Sequence, residues 1–379
     1  MRKICFFGAV LAVLHLFTPA IYAAPDVSAS SAILMEAESG TVLVNLDAHR
    51  QMRMASTTKI MTALVALTHS DVADKVVVSE KAVGIEGSSV YLKAGETLTM
   101  EELLYALLLE SANDAAAAIA IAVAGDIPSF ADLMNETALE IGLTESHFTN
   151  PHGLDDEGHY TTAYDLALLT RYALSNPDFA RIVSTYKTTI PLNGAEGTRV
   201  LVNHNKMLKA YDGAIGVKTG YTRKSGRCLV SAAERDGVTM IAVTLSAPDD
   251  WRDHTALLDY GFSLYTSVQL ADIGEYRCTL PCLGADVSEI TASNHAEVST
   301  VLPKNHGAIT VRFLANRPIA APILLGDEVG EIVFICDGKE IARVPLCADV
   351  EASRVSPPLS LWDRVRGTLH LSSLNKTES

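Results

Sequence analysis

Runs of apolar residues that suit β-strands occur near the start of the chain and again past its middle. Residues 31–46 form a predicted hairpin, because two apolar runs flank a Ser-Gly turn. Residues 227–232 and 238–244 form a second pair of apolar runs, separated by Asp236-Gly237, a dipeptide typical of tight β-turns. We expect these four strands to share one antiparallel sheet, to which both ends of the segment contribute.

Between the two strand pairs, apolar residues recur at helical spacing. Ile60, Met61, Leu64 and Leu67 share one face of a predicted buried helix over residues 57–67. The same reasoning, helped by the capping box that Thr99 and Glu102 form, predicts helices at residues 101–110, 114–123, 163–174 and 254–265. The fold class is therefore α/β: an antiparallel sheet with flanking helices and an inserted helical subdomain that spans roughly residues 75–178.

The remainder of the chain changes character. Short strands and turns follow one another from about residue 270 to 349, including a hairpin over Asp337-Gly338, and they predict a small all-β domain. We therefore divide the chain into a signal peptide, an α/β domain, an all-β domain and a C-terminal segment, with boundaries at residues 1–23, 24–267, 268–352 and 353–379.

The N-terminal residues have the three parts of a secretory signal. Arg2 and Lys3 precede an apolar run that is too short to span a membrane, and Ala23 is a small residue suited to cleavage. We expect export to the outer face of the bacterial cytoplasmic membrane or secretion. The net charge is −15 at pH 7, and removal of two basic residues makes the mature chain more acidic still, which argues against nucleic-acid binding.

The cysteines do not predict a metal site. Cys5 leaves with the signal peptide, and five remain, so at least one has no disulfide partner within the chain. Cys278 and Cys282 have a spacing found among zinc ligands, but no His pair or second close Cys pair accompanies them. We expect neither a metal nor another cofactor.

The C-terminal segment is amphipathic if it is helical. After Pro357-Pro358, one side of the helix carries Leu and Trp and the other carries charged and polar residues, with Arg366 at the edge. The apolar positions are Leu359, Leu361, Trp362, Val365 and Leu369. We predict a segment that lies on a membrane surface. The alternative is a helix packed on its own β domain.

The start of the first predicted helix carries a possible nucleophile and base. Ser56 and Lys59 are three residues apart, so their side chains share a helical face and can form a hydrogen bond. A serine hydroxyl needs a base to remove its proton, and a lysine can be that base if burial or a nearby cation keeps it neutral. The spacing is common, however, and recurs at Ser184/Lys187 and Ser373/Lys376, where a solvated surface pair is the ordinary interpretation.

Two further motifs follow in the chain. Ser111 and Asn113 lie on a tight turn between two helices, where the serine can pass a proton and the asparagine can hold an amide; an ordinary helix cap is the alternative. Lys218 and Thr219 precede Gly220 just before the strand at 227–232, and suit a substrate carboxylate, while the glycine lets a ligand backbone approach the strand edge. The alternative is a strand end with a solvated lysine.

Taken together, the three motifs are far more specific than any one of them. The motifs occur in this order, and each lies in a predicted helix, loop or strand of the expected kind. In this respect the sequence resembles the low-molecular-mass penicillin-binding proteins, the serine-type D-alanyl-D-alanine carboxypeptidases. The resemblance covers nearly the whole chain and includes residues 150–154, 164–167, 203–208 and 213–222. It implies a β-lactamase/transpeptidase-like fold, a peptidoglycan pentapeptide as substrate and β-lactam antibiotics as covalent inhibitors.

The resemblance also implies roles for single residues. Ser56 would be the acylated nucleophile, Lys59 its general base, and Ser111 and Asn113 would line the cleft from the helical side. The terminal carboxylate of the peptide or of a penicillin would bind Lys218 and Thr219; the backbone N–H groups of Ser56 and Tyr221 would form the oxyanion hole. His152 belongs to a family signature without a role that follows from the residues. Arg252 fits a carboxylate-binding position only loosely.

Two other functions stay open at this point. A class A β-lactamase shares the fold and the motifs but carries an additional Glu for deacylation, whereas Asp155, Asp156 and Glu157 here sit in a Gly-rich turn. A wall-binding protein with an inactive site is the other possibility, although none of the motif residues is missing.

Overall fold

The computed structural model describes residues 23–192, 197–315 and 318–355. The predicted signal peptide, apart from Ala23, and residues 356–379 of the C-terminal segment lie outside the described residues. The described chain divides into two compact units, one formed by residues 23–235 and 239–263 and the other by residues 236–238 and 264–355.

The first unit contains one large sheet and two small ones. Its strands are β1 (Ser31–Glu36), β2 (Val42–Leu46), β3 (Lys75–Val77), β4 (Thr97–Thr99), β5 (Lys187–Pro191), β6 (Thr198–Val202), β7 (Ala214–Thr222), β8 (Gly226–Arg235) and β9 (Val238–Leu245). Five of them form the antiparallel sheet β2-β1-β9-β8-β7, so both ends of the segment contribute strands, as predicted. The pairs β3-β4 and β5-β6 form separate hairpin-like sheets, and the first interrupts a region predicted to be mostly helical.

Helix α1 lies at the centre of the helices of this unit. They are α1 (Lys59–His69), α2 (Met100–Leu109), α3 (Asn113–Ala124), α4 (Ile127–Glu140), α5 (Ala163–Leu174), α6 (Pro177–Ser184), α7 (Met207–Ala210) and α8 (Asp250–Leu264). Helix α1 is buried from Lys59 to Ala66 and packs against α2, α3, α4, α5 and α6. The capping box of Thr99 and Glu102 at the start of α2 is present as predicted.

Among the predicted helices, α8 differs most from its predicted start. Helix α8 begins at Asp250, four residues before the predicted start, and ends before Tyr265, which belongs to the next strand. Asp250 and Asp253 occupy its first turn, where carboxylates interact favourably with the partial positive charge of the helix N-terminus. This earlier start brings Trp251 into the helix, and with it one wall of the cleft described below.

The second unit is built from strands alone in its described part. The strands are β10 (Tyr265–Ala271), β11 (Arg277–Pro281), β12 (Glu289–Ser293), β13 (Val298–Pro303), β14 (Ile309–Ala315), β15 (Glu328–Cys336) and β16 (Lys339–Ala348). They form a five-stranded sheet in the order β11-β12-β16-β15-β14 and a separate pair, β10-β13. The β15-β16 hairpin turns at Asp337 and Gly338, whose φ angles of 51° and 77° match a tight β-turn. The predicted all-β character is confirmed.

The described residues were compared with what membrane spans, disulfides and metal sites require. No single helix in these ranges combines the length and the apolar character needed to cross a membrane; α3 and α4 meet those criteria only as a pair bent by 82°. The five cysteines that the structure describes carry no disulfide, and within the same ranges no three His, Cys, Asp or Glu side chains are arranged to hold a metal ion.

Candidate active site

Ser56 lies on a 3₁₀ turn that runs directly into α1. The turn covers Ala55–Thr58 and the α-helix begins at Lys59, two residues later than the predicted helix. A 3₁₀ turn places residues three apart almost directly above one another. Ser56 Oγ accordingly lies 3.1 Å from Lys59 Nζ, so the predicted contact between the two side chains is confirmed.

Lys59 is completely buried, and its amine has a specific set of neighbours. Besides Ser56 Oγ, Nζ lies 2.7 Å from Asn113 Oδ1 and 2.6 Å from the backbone oxygen of His152. Burial lowers the pKa of Lys59 well below its ordinary value, the positive charge of Lys218 lowers it further, and Asp114 opposes both. A neutral amine is therefore the form that this environment favours.

The neighbours also determine where the lone pair of that amine points. Asn113 Oδ1 and the His152 carbonyl can only accept hydrogen bonds, so they take the two protons of a neutral amine. The lone pair is then left for the third neighbour, the hydroxyl of Ser56. In its neutral form, the amine is therefore placed to accept a proton from Ser56.

Asn113 lies within one residue of its predicted place between two helices. It begins α3, immediately after the turn at Ser111, and only 4% of its surface is exposed. While Oδ1 accepts from Lys59, Nδ2 donates to the carbonyl oxygen of Glu86 at 2.5 Å. Asn113 thus holds the lysine through Oδ1, and one of its two Nδ2 protons is engaged within the protein. The expected contact with a substrate amide stays a prediction. Ser111 does line the cleft.

Lys218, on β7, is buried rather than solvated. Only 1% of it is exposed, Nζ donates to the backbone oxygen of Thr219 at 2.9 Å, and burial lowers its pKa to about 7. A solvated strand-end lysine is thereby excluded. Lys218 is not among the residues that line the cleft, but its charge reaches Lys59, whose pKa it lowers.

Gly220 serves a purpose that the sequence did not predict. A Cβ atom at this position would lie 3.0 Å from both the backbone nitrogen of Ser56 and the oxygen of Met54. The missing side chain lets β7 pack against the turn that carries the nucleophile. The expected reason, close approach of a ligand backbone, is not needed to explain the glycine.

These elements enclose a cleft of about 370 Å³ in the first unit. Of the predicted site residues, Ser56, Ser111, Thr219, Gly220 and Tyr221 line it, while Lys59, Asn113 and Lys218 lie buried beneath. The other lining residues are Ser88, His204, Lys206, Arg227, Cys228, Asp250 and Trp251. Sequence reasoning missed this second group entirely.

The missed residues make one end of the cleft cationic. Arg227 donates to Asp250 Oδ1 at 2.8 Å, and the side chains of Arg227 and Lys206 each lie 5.9 Å from the centre of the Trp251 ring. Arg227 pairs with Tyr221 in the β7-β8 hairpin, a register that could have indicated its position. Arg252, the arginine considered from sequence, is 64% exposed and pairs with Asp249 instead.

The acidic turn at residues 155–157 contributes no residue to the lining of the cleft. Asp155 accepts a hydrogen bond from the Thr222 hydroxyl and Asp156 accepts one from the backbone of Gly158. Among the described lining residues the acidic side chain is Asp250, which is occupied by Arg227. The deacylating glutamate of a class A β-lactamase has no counterpart in this lining.

The Ser184/Lys187 pair does not resemble the Ser56/Lys59 pair. Ser184 ends α6 and its hydroxyl donates to the backbone oxygen of Arg181, while Lys187 is exposed on β5. Ser373 and Lys376 lie outside the described residues.

Comparisons with known proteins agree along nearly the whole chain. A family described as D-alanyl-D-alanine carboxypeptidase matches residues 18–249, and the C-terminal domain of penicillin-binding protein 5 matches residues 265–354. The D-alanyl-D-alanine carboxypeptidase DacF of Bacillus subtilis is 33% identical over 330 residues, which cover 84% of this chain and 85% of the relative.

Solved structures show the same likeness in three dimensions. A peptidoglycan synthesis regulatory factor (PBP3) from Streptococcus pneumoniae superposes with a TM-score of 0.74 at 26% identity, covering 86% of this chain and 100% of the other. Penicillin-binding protein 5 from Haemophilus influenzae gives a TM-score of 0.66 at 25% identity, covering 88% and 100%.

Proposed function

We propose that Ser56 is the nucleophile of this enzyme and that Lys59 is its general base. The chain belongs to the D-alanyl-D-alanine carboxypeptidase family. The protein is a low-molecular-mass penicillin-binding protein, a serine-type hydrolase that removes the terminal D-Ala from peptidoglycan stem peptides. The observation that carries the residue assignment is the position of Lys59 Nζ, 3.1 Å from Ser56 Oγ with two carbonyl oxygens as its other partners. In the neutral amine these two oxygens take both protons, which leaves the lone pair for Ser56.

Acylation then proceeds in two steps. Lys59 Nζ accepts the Ser56 hydroxyl proton as Oγ bonds to the carbonyl carbon of the penultimate D-Ala. The bond from that carbon to the nitrogen of the terminal D-Ala breaks, and the departing nitrogen takes the proton from Lys59, with the Ser111 hydroxyl as the candidate relay in the same cleft. Water hydrolyses the resulting ester and restores Ser56. A penicillin follows the first part of this course and remains attached.

Negative charge that develops on the attacked oxygen needs donors placed in advance. We assign this role to the backbone N–H groups of Ser56 and Tyr221. Close packing of Gly220 on the Ser56 nitrogen supports the assignment, because it brings the β7 backbone against the nucleophile turn.

The terminal carboxylate of the substrate has two candidate partners on the cleft surface. The Thr219 hydroxyl is one, as the sequence predicted, and the Arg227 guanidinium is the other, held in orientation by Asp250. Lys218 lies below them, so its proposed contribution is through charge: when protonated, it attracts the carboxylate and lowers the pKa of Lys59.

Arg227→Gln is expected to lower kcat/KM for a peptide ending in D-Ala-D-Ala by about 10- to 100-fold. A hydrogen bond to a charged group contributes about 1.5–3 kcal/mol, and glutamine cannot supply the charge. On a substrate with an amidated C-terminus, the kcat/KM of the variant should be close to that of the unaltered enzyme. Release of D-Ala or of D-alaninamide measures both.

Arg252→Gln is the matched control, since Arg252 is exposed and pairs outside the cleft, and it should leave both rates unchanged. Equal losses on the acid and the amide substrate in Arg227→Gln would show that Arg227 only supports Asp250 and does not bind the carboxylate.

The location of the enzyme is the second part of the proposal. The substrate class of the family lies outside the cytoplasm, which supports removal of residues 1–23 during export. We assign membrane attachment to residues 353–379, of which 356–379 lie outside the described structure. The sequence supports this by its apolar face and by Arg366 at the edge of that face.

The mature protein is expected to pellet with phospholipid vesicles, and a form that ends at Pro357 should remain in solution with full carboxypeptidase activity. Since the whole chain is acidic, attachment must come from this local apolar face. Sedimentation with neutral and anionic vesicles measures it. A truncated form that still pellets, or an intact mature protein that does not, would contradict the anchor and favour packing on the β domain.

A further inference from the structure

The residue before the proposed nucleophile has an unusual backbone conformation. Ala55 has a φ of +48°, in the left-handed region that residues with a side chain rarely adopt. The 3₁₀ turn that begins here has no side-chain cap on its first residue. Such a conformation persists only where surrounding contacts enforce it.

Thr58 and His159 provide one such set of contacts. Thr58 Oγ1 lies 2.8 Å from the carbonyl oxygen of Ala55 and 2.7 Å from His159 Nε2. The Ala55 oxygen can only accept, so the single hydroxyl proton of Thr58 goes to it. His159 Nε2 must therefore carry a proton and donate it to Thr58.

The other nitrogen of His159 completes the pattern. Nδ1 lies 3.1 Å from the backbone nitrogen of Thr149, which can only donate, so Nδ1 is unprotonated. The structure thus defines a neutral histidine in one tautomer. Thr58 and His159 are 0% and 3% exposed, so water does not compete for these bonds.

The charge environment agrees with a neutral ring. Burial lowers the pKa of His159 to about 4. The nearby charges are Asp156, which opposes this shift, and His147 and Lys59, which add to it.

We propose that His159 is a positioning residue for catalysis, acting through Thr58 on the peptide group between Ala55 and Ser56. A trans peptide group is planar, with its N–H directed opposite to its C=O. Fixing the Ala55 oxygen therefore fixes the direction of the Ser56 N–H, one of the two proposed oxyanion donors. The inference rests on the proposed role of Ser56.

Gly153 supports this arrangement from another side. A Cβ atom there would lie 2.0 Å from the Ala55 oxygen, so the loop backbone is packed directly against that carbonyl. The carbonyl has no room to turn toward Gly153, and His159 and Thr58 hold it by hydrogen bonding. Rotation of the peptide group, which would withdraw the N–H from the cleft, is opposed from both directions.

The test compares variants that remove the hydrogen bonds but keep the volume. Thr58→Val and His159→Phe are each expected to lower kcat for D-Ala release by about 10- to 100-fold, somewhat less than the loss of a whole oxyanion donor, with KM within a factor of two. Thr58→Ser keeps the hydroxyl and should restore most of the rate. Because both groups act in one chain of bonds, the double variant should be no slower than the slower single variant.

Thr170→Val is the matched control. Thr170 is a buried threonine on α5 whose hydroxyl also donates to a backbone carbonyl, that of Leu166, and it does not line the cleft. It should lose stability without losing kcat. If His159→Phe does not fold, Thr58→Val and Thr58→Ser carry the test alone.

Several results would overturn the inference: an unchanged kcat in folded Thr58→Val, a loss that appears only in KM, losses that multiply in the double variant, or an equal loss in Thr170→Val. Each is distinguishable from failure of the proposed function. That failure would appear in the unaltered enzyme, as a penicillin adduct on a residue other than Ser56.

Discussion

Ser56→Ala should abolish covalent labelling by a fluorescent penicillin and reduce D-Ala release on the order of 10⁴–10⁶-fold. Among the described residues that line the cleft, Ser56 is the serine whose hydroxyl lies next to a buried lysine amine: Oγ is 3.1 Å from Lys59 Nζ. Loss of a serine nucleophile in a hydrolase has effects of this size, because every later step depends on the acyl intermediate.

Ser184→Ala is the control for this experiment, since it removes the serine of another Ser-x-x-Lys pair whose hydroxyl is already bonded to a backbone oxygen. It should label normally. Digestion and mass spectrometry locate the adduct, and an adduct on any serine other than Ser56 would refute the assignment.

Lys59→Arg should leave penicillin acylation slower by about 10²–10⁴-fold, the usual contribution of a general base. Arginine stays protonated at any working pH and has no lone pair to accept the Ser56 proton. Lys59→Met, which is neutral and of similar length, tests the same point if the arginine variant is unstable in this buried position. Near-normal acylation by a folded variant would exclude the base role.

The pH dependence of the unaltered enzyme gives a second measure of Lys59. Its amine acts only when unprotonated, so the acylation rate should fall as pH drops through the pKa of Lys59, which burial and Lys218 lower from the ordinary value. Lys218→Gln removes a positive neighbour, which raises that pKa and moves the acidic limb to higher pH. A limb that does not move would show that the two lysines are not coupled.

Sequence reasoning reached the part of the site that depends on local geometry. Ser56 and Lys59 are three residues apart, so the backbone alone brings them together. The other partners of Lys59, Asn113 and His152, lie 54 and 93 residues further along the chain. Only the packing of α1 against α3 and the loop after α4 brings their oxygens to the amine, and no spacing in the sequence predicts that.

The family and the fold were also predicted correctly, because three motifs in order, each in a strand, helix or turn of the expected kind, leave few alternatives. The cationic residues of the cleft were not predicted. Arg227 enters the cleft through strand pairing with Tyr221, whereas Arg252, which lies close by in sequence, points to other partners. Which of two arginines faces a cavity depends on strand register and on where the helix begins, and the predicted start of α8 was four residues late.

The order of strands in the large sheet has a consequence for how the chain folds. Strand β1 is buried along its whole length, and one of its edges is covered by β9, with Ser31 paired to Leu245. The edge therefore stays open until more than 200 further residues have been made, and contacts of such separation make folding slow. The nucleophile turn and β7 likewise meet only late. The large sheet, and the active site that β7 completes, can therefore assemble only after nearly all of the first unit has been made.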